Sequence, residues 1–371
     1  MATSSYLWFG QDFRGYYAAA RVLLAGGNPY DYNQLAPVLL AVTGRIGNNP
    51  YYYPPWFAWL FTPLSILPYE IARVIWMIFN LAIWIFSLYQ LGKLLNWPGR
   101  GWRRWLMFLL MTYLFAWLTW RYEQMGIVLF ALTVAILISL REQKWFWAGI
   151  CLALFLLKPN VTLVPLIAIA AWLIRRRQWR PVLIMSAALL ILFIFSTLAT
   201  PDWYKPFLQP GFGSGLTTVL DGPNRIVATR INSTLIDFLA WLHIAPTLRV
   251  IIYAFAILVG VSILIIVIRR SNSLLEIVAI SLLVGFSITP YDLQYDFPPL
   301  AFTLMWALAI SVRATNKTPK WSAILITIFI SSLPLWERPI SEAYFLVLGL
   351  IGLVILCRRV SRQFILPGEL V

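Results

Sequence analysis

Carboxylates, side-chain amides and an isolated lysine, set at widely separated points of the chain, are the residues able to do chemistry. Asp12 with Arg14 stands near the start, Glu123 and Gln124 follow Arg121, and Lys158 stands two residues before Asn160. Asp292, Gln294 and Asp296 crowd into the segment TPYDLQYDFPP, and Arg225, Arg230 and Asn232 lie in a long polar stretch. A lone carboxylate set against an acceptor hydroxyl serves as a general base, while Lys and Arg neutralise a phosphate leaving group. Transfer from a lipid phosphate requires both kinds of group on one face of a cavity open to the bilayer.

Each of these residues also has a plainer reading. Asp12 suits the N-cap of the helix that follows it. Lys158 sits between two apolar runs with Pro159 behind it, where a lysine can simply snorkel to the water boundary. Glu123 and Asp296 suit ordinary ion pairs with Arg121 or another basic residue. Ionisable groups close to membrane depth are costly, which makes them functional candidates by default.

The elements that position these groups belong to a membrane. The chain has 371 residues, of which 61% are hydrophobic and 12% charged, with a mean hydropathy of +0.78. Soluble domains carry about 25% charge, so the chain reads as an all-α polytopic membrane protein. The net charge of +15 resides in short loops between apolar runs, as the positive-inside rule requires, and nucleic-acid binding is not expected. Cys151 and Cys357 fall inside apolar runs, and His243 is the lone histidine, so neither a disulfide framework nor a His-rich metal site is expected. Asp12 is not part of an Asp-x-Asp pair, and a divalent metal or other cofactor has no support in the sequence.

Stretches able to cross a roughly 30 Å hydrocarbon layer fall at about 70–92, 104–120, 125–140, 145–157, 160–174, 181–199, 247–268, 274–289, 297–312, 321–335 and 342–357. The expectation is about eleven transmembrane helices forming one domain over residues 1–371. If the loops around 93–104, 141–144, 175–180, 269–270, 313–320 and 358–362 face the cytoplasm, they collect well over half of the twenty-nine Lys and Arg. Glu142 is the one acidic residue among them. Nearly all carboxylates then share the outer side, which is where polar chemistry is expected.

That topology makes residues 10–53 a first external loop and 200–233 a later one. Within the first, Phe13, Tyr16, Tyr17, Ala20, Leu23 and Leu24 recur at helical spacing, and Gly26-Gly27 before Asn28-Pro29 supplies a stop and a turn. A short helix lying at the membrane surface is expected. Tyr51-Tyr52-Tyr53-Pro54-Pro55-Trp56 suits the water–lipid boundary. The apolar run after it ends at Pro68, too short to span, and reads as a re-entrant helix over 54–67 beside a cavity.

DFRGYYAAARVLLAGGNPYD followed by YYYPPWFAWLFTPLSILPYEIARVIW resembles the opening of glycosyltransferase family 87, whose members have the GT-C fold. An Asp-Phe-x-x-Tyr-Tyr head, a Pro-Tyr-Asp turn, a Tyr-Pro-Pro helix start and a Leu-Pro-Tyr bend occur in the family's order. Weaker echoes follow at Lys158-Pro159, Asn232-Ser233 and Pro290 to Asp296. The resemblance implies a GT-C helical bundle that moves mannose or arabinofuranose from a polyprenyl-phosphate donor to a glycolipid or glycan acceptor. The reaction would take place on the outer face of the cytoplasmic membrane. The position matching the family's catalytic aspartate is Asp12. Tyr16, Glu123, Gln124, Lys158, Asn160, Arg225, Arg230, Asn232 and Asp296 become candidates for holding substrate. Where relatives show Gly-Gln-x-Asn, this chain reads Glu123-Gln124-Met125-Gly126, so Gln124 alone aligns. In the family a first transmembrane helix precedes the aspartate, and the expectation is that this chain start lacks it. Alternatives from another class are a flippase for a lipid-linked substrate, whose mark would be inverted repeats, and a non-catalytic glycolipid-binding protein.

Overall fold

In the computed structural model of the protein, residues 12–44, 51–97, 112–113, 115–208 and 234–313 are described. Among them every regular element is a helix. The expected spans at 104–120 (in part), 321–335 and 342–357, and most of the 200–233 loop, lie outside the described residues.

Three short helices open the fold. α1 (Phe13–Leu24) begins at Asp12 and ends where Gly26 takes a φ of 74°, a left-handed conformation open to glycine, letting the Gly27 N–H close onto Val22 O at 2.9 Å. α2 (Tyr32–Thr43) starts on the Asp31 side chain, which accepts from Asn33 N, and stops at Gly44 with φ 66°. Its Pro37 hides it from a reading of the sequence by periodicity. α3 (Pro55–Ser65) is entered through Pro54 and Pro55, whose fixed φ suits a helix start. α1 packs on both α2 and α3. Phe13, Tyr16 and Tyr17 fill the space between, with Phe13 edge-on to Phe61 and Tyr16 edge-on to Phe57 at 4.8 Å.

Beyond them lies the bundle: α4 (Tyr69–Leu94), α5 (115–122), α6 (Gly126–Arg141), α7 (Trp145–Phe155), α8 (Pro159–Arg175), α9 (Trp179–Ala199), α10 (204–208), α11 (Leu235–Trp241), α12 (Pro246–Arg270), α13 (Leu274–Ile288) and α14 (Leu300–Arg313). α4, α9 and α12 are long and apolar enough to cross a membrane; α6, α7, α8, α13 and α14 are apolar but shorter. The expected positions of these helices agree with the observed ones, while the crossing number is supported for three of the described helices.

All fifteen residues of α13 are buried, so its apolarity, broken by Glu276 in the first turn, reflects a helix enclosed by others and not one facing lipid. It packs against α8, α12 and α14. In lipid, helices gain little from excluding water and associate by close packing over small residues. Gly149 is one such place: a Cβ there would sit 2.6 Å from Ile184, where α7 crosses α9.

The bundle has two chemically distinct ends. At one, Arg141 donates to Leu94 O at 3.2 Å, and Arg175 to Arg269 O at 3.0 Å and Ser271 O at 2.7 Å, so the basic loops are knitted together by guanidinium groups. α6, running from Gly126 to Arg141, and α8, from Pro159 to Arg175, carry the chain between that end and the other. The other end holds Asp12, Glu123 and Asp296.

Candidate functional site

Four helix starts and turns meet at the acidic end. Asp12 occupies the N-cap position of α1, and its backbone oxygen accepts from Gly15 N at 3.0 Å, yet its side chain makes no capping bond. The carboxylate turns instead to Gln124, whose Nε2 donates to Asp12 Oδ2 across 112 residues of sequence. The plain capping role is thus filled by the main chain alone, and the side chain serves the cluster.

Gln124 sits in the turn between α5 and α6. Glu123 ahead of it has a φ of 57°, which an ordinary side chain tolerates only when its surroundings enforce it. Trp76 Nε1 holds the Glu123 carbonyl at 3.0 Å, and Gln124 N closes onto Thr119 O at 2.9 Å. Behind the turn, Gly126 allows α6 to start directly against the main chain of the Tyr295–Pro298 loop: a Cβ would collide with Tyr295 O and lie 2.8 Å from Pro298 Cδ. Thr119 Oγ1 adds a bond to the same Tyr295 carbonyl at 2.6 Å.

Lys158 stands at the N-terminus of α8, with Pro159 as first helical residue. Its ammonium is buried, pairs with Asp296 in the 3₁₀ turn Gln294–Asp296, lies 5.0 Å from the Tyr295 ring centroid, and reaches Gln124 Oε1 at 3.4 Å. Asp296 is fixed from behind by Leu293 N at 3.3 Å. Burial by itself works against the charge on Lys158, but the Asp296 carboxylate, with the Tyr53 and Tyr291 phenols, more than reverses this and holds the ammonium above the usual lysine range. Asp12 is pushed up from the ordinary carboxylate value by burial, with the Gln124 hydrogen bond and the Lys158 charge opposing.

The structure therefore gathers Asp12, Tyr16, Gln124, Lys158 and Asp296 from four parts of the sequence, the first two sharing the start of α1. Tyr16 donates its hydroxyl to Gln124 Oε1 at 2.7 Å. Asn160 lies in the first turn of α8 and ties its amide to Tyr291 O at 2.8 Å, bracing the loop that carries Asp296. Glu123 points elsewhere: its Oε1 accepts from Arg73 Nε at 2.5 Å, and its Oε2 is buried with no hydrogen-bond partner. The plainer ion-pair reading thus holds for Glu123 with Arg73 and for Asp296 with Lys158. Arg225, Arg230 and Asn232 lie outside the described residues.

Three participants were not singled out in the sequence. Tyr53, read there as a boundary aromatic, brings its hydroxyl to 3.2 Å from Gln124 Oε1 and 3.1 Å from the Tyr16 hydroxyl. Its signal was the Tyr-Pro-Pro element itself, since two prolines fix the direction of the residue before them. Arg73 was hidden inside an apolar span, where a charge should have prompted a search for its partner. Tyr295 left no signal, because its ring meets Lys158 only through tertiary packing. Among the described residues no three His, Cys, Asp or Glu side chains gather as a metal site would need.

The family model for glycosyltransferase family 87 matches residues 51–290. The chain belongs to this family. The matched segment contains Tyr53, Gln124 and Lys158, while Asp12 with α1 precedes it and Asp296 follows it. Neither a curated protein nor a solved structure matches the chain. With its apolar helices, this family 87 chain is a membrane glycosyltransferase.

Proposed function

We propose that the protein transfers a mannose- or arabinofuranose-class sugar from a polyprenyl-phosphate donor to a glycolipid or glycan acceptor, with Asp12 as general base. Asp12 takes the proton of an acceptor hydroxyl as that oxygen bonds to the anomeric carbon. The bond from that carbon to the phosphate oxygen breaks, and the polyprenyl phosphate departs with the electron pair. Lys158 supplies positive charge for the departing phosphate, and attack opposite the leaving group inverts the anomeric centre.

The observation that carries this reading is the meeting of Asp12 with Lys158 through one shared partner, Gln124. A base and a cation so joined match the two charge changes of the reaction, one at the attacking oxygen and one at the leaving oxygen. No metal or other cofactor is invoked. The placement of the site on the outer face of the cytoplasmic membrane draws support from the Arg-rich opposite end of the bundle, which suits the cytoplasmic side.

The test is sugar transfer by purified protein, using polyprenyl-phosphate mannose and polyprenyl-phosphate arabinofuranose in turn, each labelled in the sugar, with a total lipid extract as acceptor. Asp12→Asn is expected to abolish product formation while the protein remains folded. Undiminished transfer by folded Asp12→Asn would remove Asp12 from the role of base, and transfer from neither donor would remove the donor assignment.

A further inference from the structure

The Gln124 side chain is held on every side. An amide offers an oxygen that only accepts and a nitrogen that only donates. Its Oε1 faces four donors: the Tyr16 hydroxyl at 2.7 Å, the Tyr53 hydroxyl at 3.2 Å, the Met125 N–H at 3.3 Å and the Lys158 ammonium at 3.4 Å. Rotating the amide by half a turn would set its NH₂ against an ammonium and two phenols. The orientation is therefore dictated by its surroundings, and Nε2 is left facing Asp12. The main chain is equally constrained, by the left-handed Glu123 ahead of it and by the close approach at Gly126 behind. With the residue almost wholly buried and both ends of its amide engaged, Gln124 has little left to offer a substrate.

We propose that Gln124 is the positioning residue of this site. It fixes Asp12 Oδ2 with one N–H, directs Oδ1 toward the acceptor hydroxyl, and couples the base to the Lys158 cation through a single rigid amide. This rests on the reading of Asp12 as base. It assigns Gln124 a role toward Asp12 in place of a direct contact with sugar.

The role has a consequence for proton binding. The charged side chains acting on Asp12 are Arg14 on its own helix, Glu123, Lys158 and Asp296. The phenols of Tyr16, Tyr53, Tyr291 and Tyr295 also surround it. Among these neighbours Gln124 is the one that donates a hydrogen bond to the carboxylate and so favours its ionised form. Removing the amide pushes Asp12 further up.

The experiment compares Gln124→Leu and the isosteric Gln124→Glu with wild type and Asp12→Asn, using the two labelled donors and the lipid extract named above. Both Gln124 variants are expected to lose about 100-fold in kcat, the usual penalty for a misaimed catalytic group, with the donor KM little changed. The acidic limb of the Gln124→Leu rate profile moves to higher pH. Gln124→Glu keeps an acceptor for Tyr16, Tyr53 and Lys158 and, once ionised, sets a second carboxylate against Asp12 in place of the donor, so its kcat above the pH at which both carboxyls ionise decides the matter if the leucine variant does not fold. A raised KM with kcat retained would overturn the proposal in favour of direct substrate contact. An unmoved kcat and pH limb, with Asp12→Asn inactive, would remove the positioning role and leave the base in place. Activity retained by Asp12→Asn would remove the base itself, whatever the Gln124 variants do.

Discussion

Arg73, in the first turns of α4, donates from Nε to Glu123 Oε1 at 2.5 Å and so anchors the turn that carries Gln124 to a helix long and apolar enough to cross a membrane. The two partners differ in exposure: the Arg73 side chain keeps 27% of its accessible surface and Glu123 keeps 1%. Burial pushes the Glu123 carboxyl up, and Arg73 is the neighbour that most opposes this.

Replacing Arg73 by Met is therefore expected to destabilise the protein by about 1–3 kcal/mol, the cost of leaving a buried acceptor without its donor. Activity should fall as the turn loosens. Glu70→Gln serves as the control, since Glu70 is largely exposed and lies 3.8 Å from Arg73; surface pairs of that kind contribute about 0–1 kcal/mol. Thermal melts in detergent check both variants, and equal losses would contradict the asymmetry.

The pH dependence follows from Asp12. Because burial raises its carboxyl, a rate that needs the ionised form declines at a higher pH than an ordinary aspartate, near 3.9, would give. The sign for stability is opposite to that of a paired surface carboxylate. Folding favours protonated Asp12, so its ionisation costs stability above the folded-state value. Asp12→Asn should melt at a higher temperature than wild type at neutral pH, and the gap should close as pH falls through the folded value toward the unfolded one. Melting curves across pH measure this apart from any activity.

Gly126→Ala tests the docking of the turn. The added methyl has main chain and a proline ring in its way, neither of which yields easily. A loss of about 1–3 kcal/mol is expected from overpacking, together with a fall in kcat as α6 and the Tyr295–Pro298 loop separate. An alanine variant with wild-type melting and turnover would show that the approach is looser than described.

Asp296→Asn takes from the buried Lys158 ammonium its direct ion-pair partner, leaving it the Gln124 oxygen at 3.4 Å and the field of Asp12. Removing one partner of a buried pair typically costs about 3–5 kcal/mol, whereas replacing both with apolar residues is often close to neutral. The single variant should lose most of its folded yield. Lys158→Met with Asp296→Leu should recover it without recovering sugar transfer. Fluorescence-detected chromatography separates these outcomes.

The helical framework was legible in the sequence because each long apolar run leaves a period and a pair of breakers. The stretch 274–289 was found with nearly its observed bounds, and so was the helix stop at Gly26-Gly27. What the sequence could not convey was which apolar runs are enclosed. Apart from Glu276 in α13 and Arg180 in α9 both runs are free of charge, yet α13 is buried throughout and α9 has three buried residues. α2 leaves no clear period because Pro37 interrupts it, although its Asp31 cap and Gly44 stop are both present in the sequence. Within the site, Asp12, Gln124, Lys158 and Asp296 could be picked out as costly groups in apolar surroundings. Their pairings could not, because Arg73 with Glu123 and Tyr53 with Gln124 depend on how α1, α3 and α4 stack.

The separation of Lys158 from Asp296 by 138 residues also governs how the protein is made. Synthesis proceeds from the N-terminus at about 5–20 residues per second. Lys158 thus exists for on the order of ten seconds before its counter-charge has been assembled. Throughout that interval the head of α8 carries a charge whose direct ion-pair partner has not yet been made. A chain ended before the 3₁₀ turn is expected to hold Lys158 without that partner, so the late arrival of Asp296 places the last charge pairing of the site near the end of the described fold.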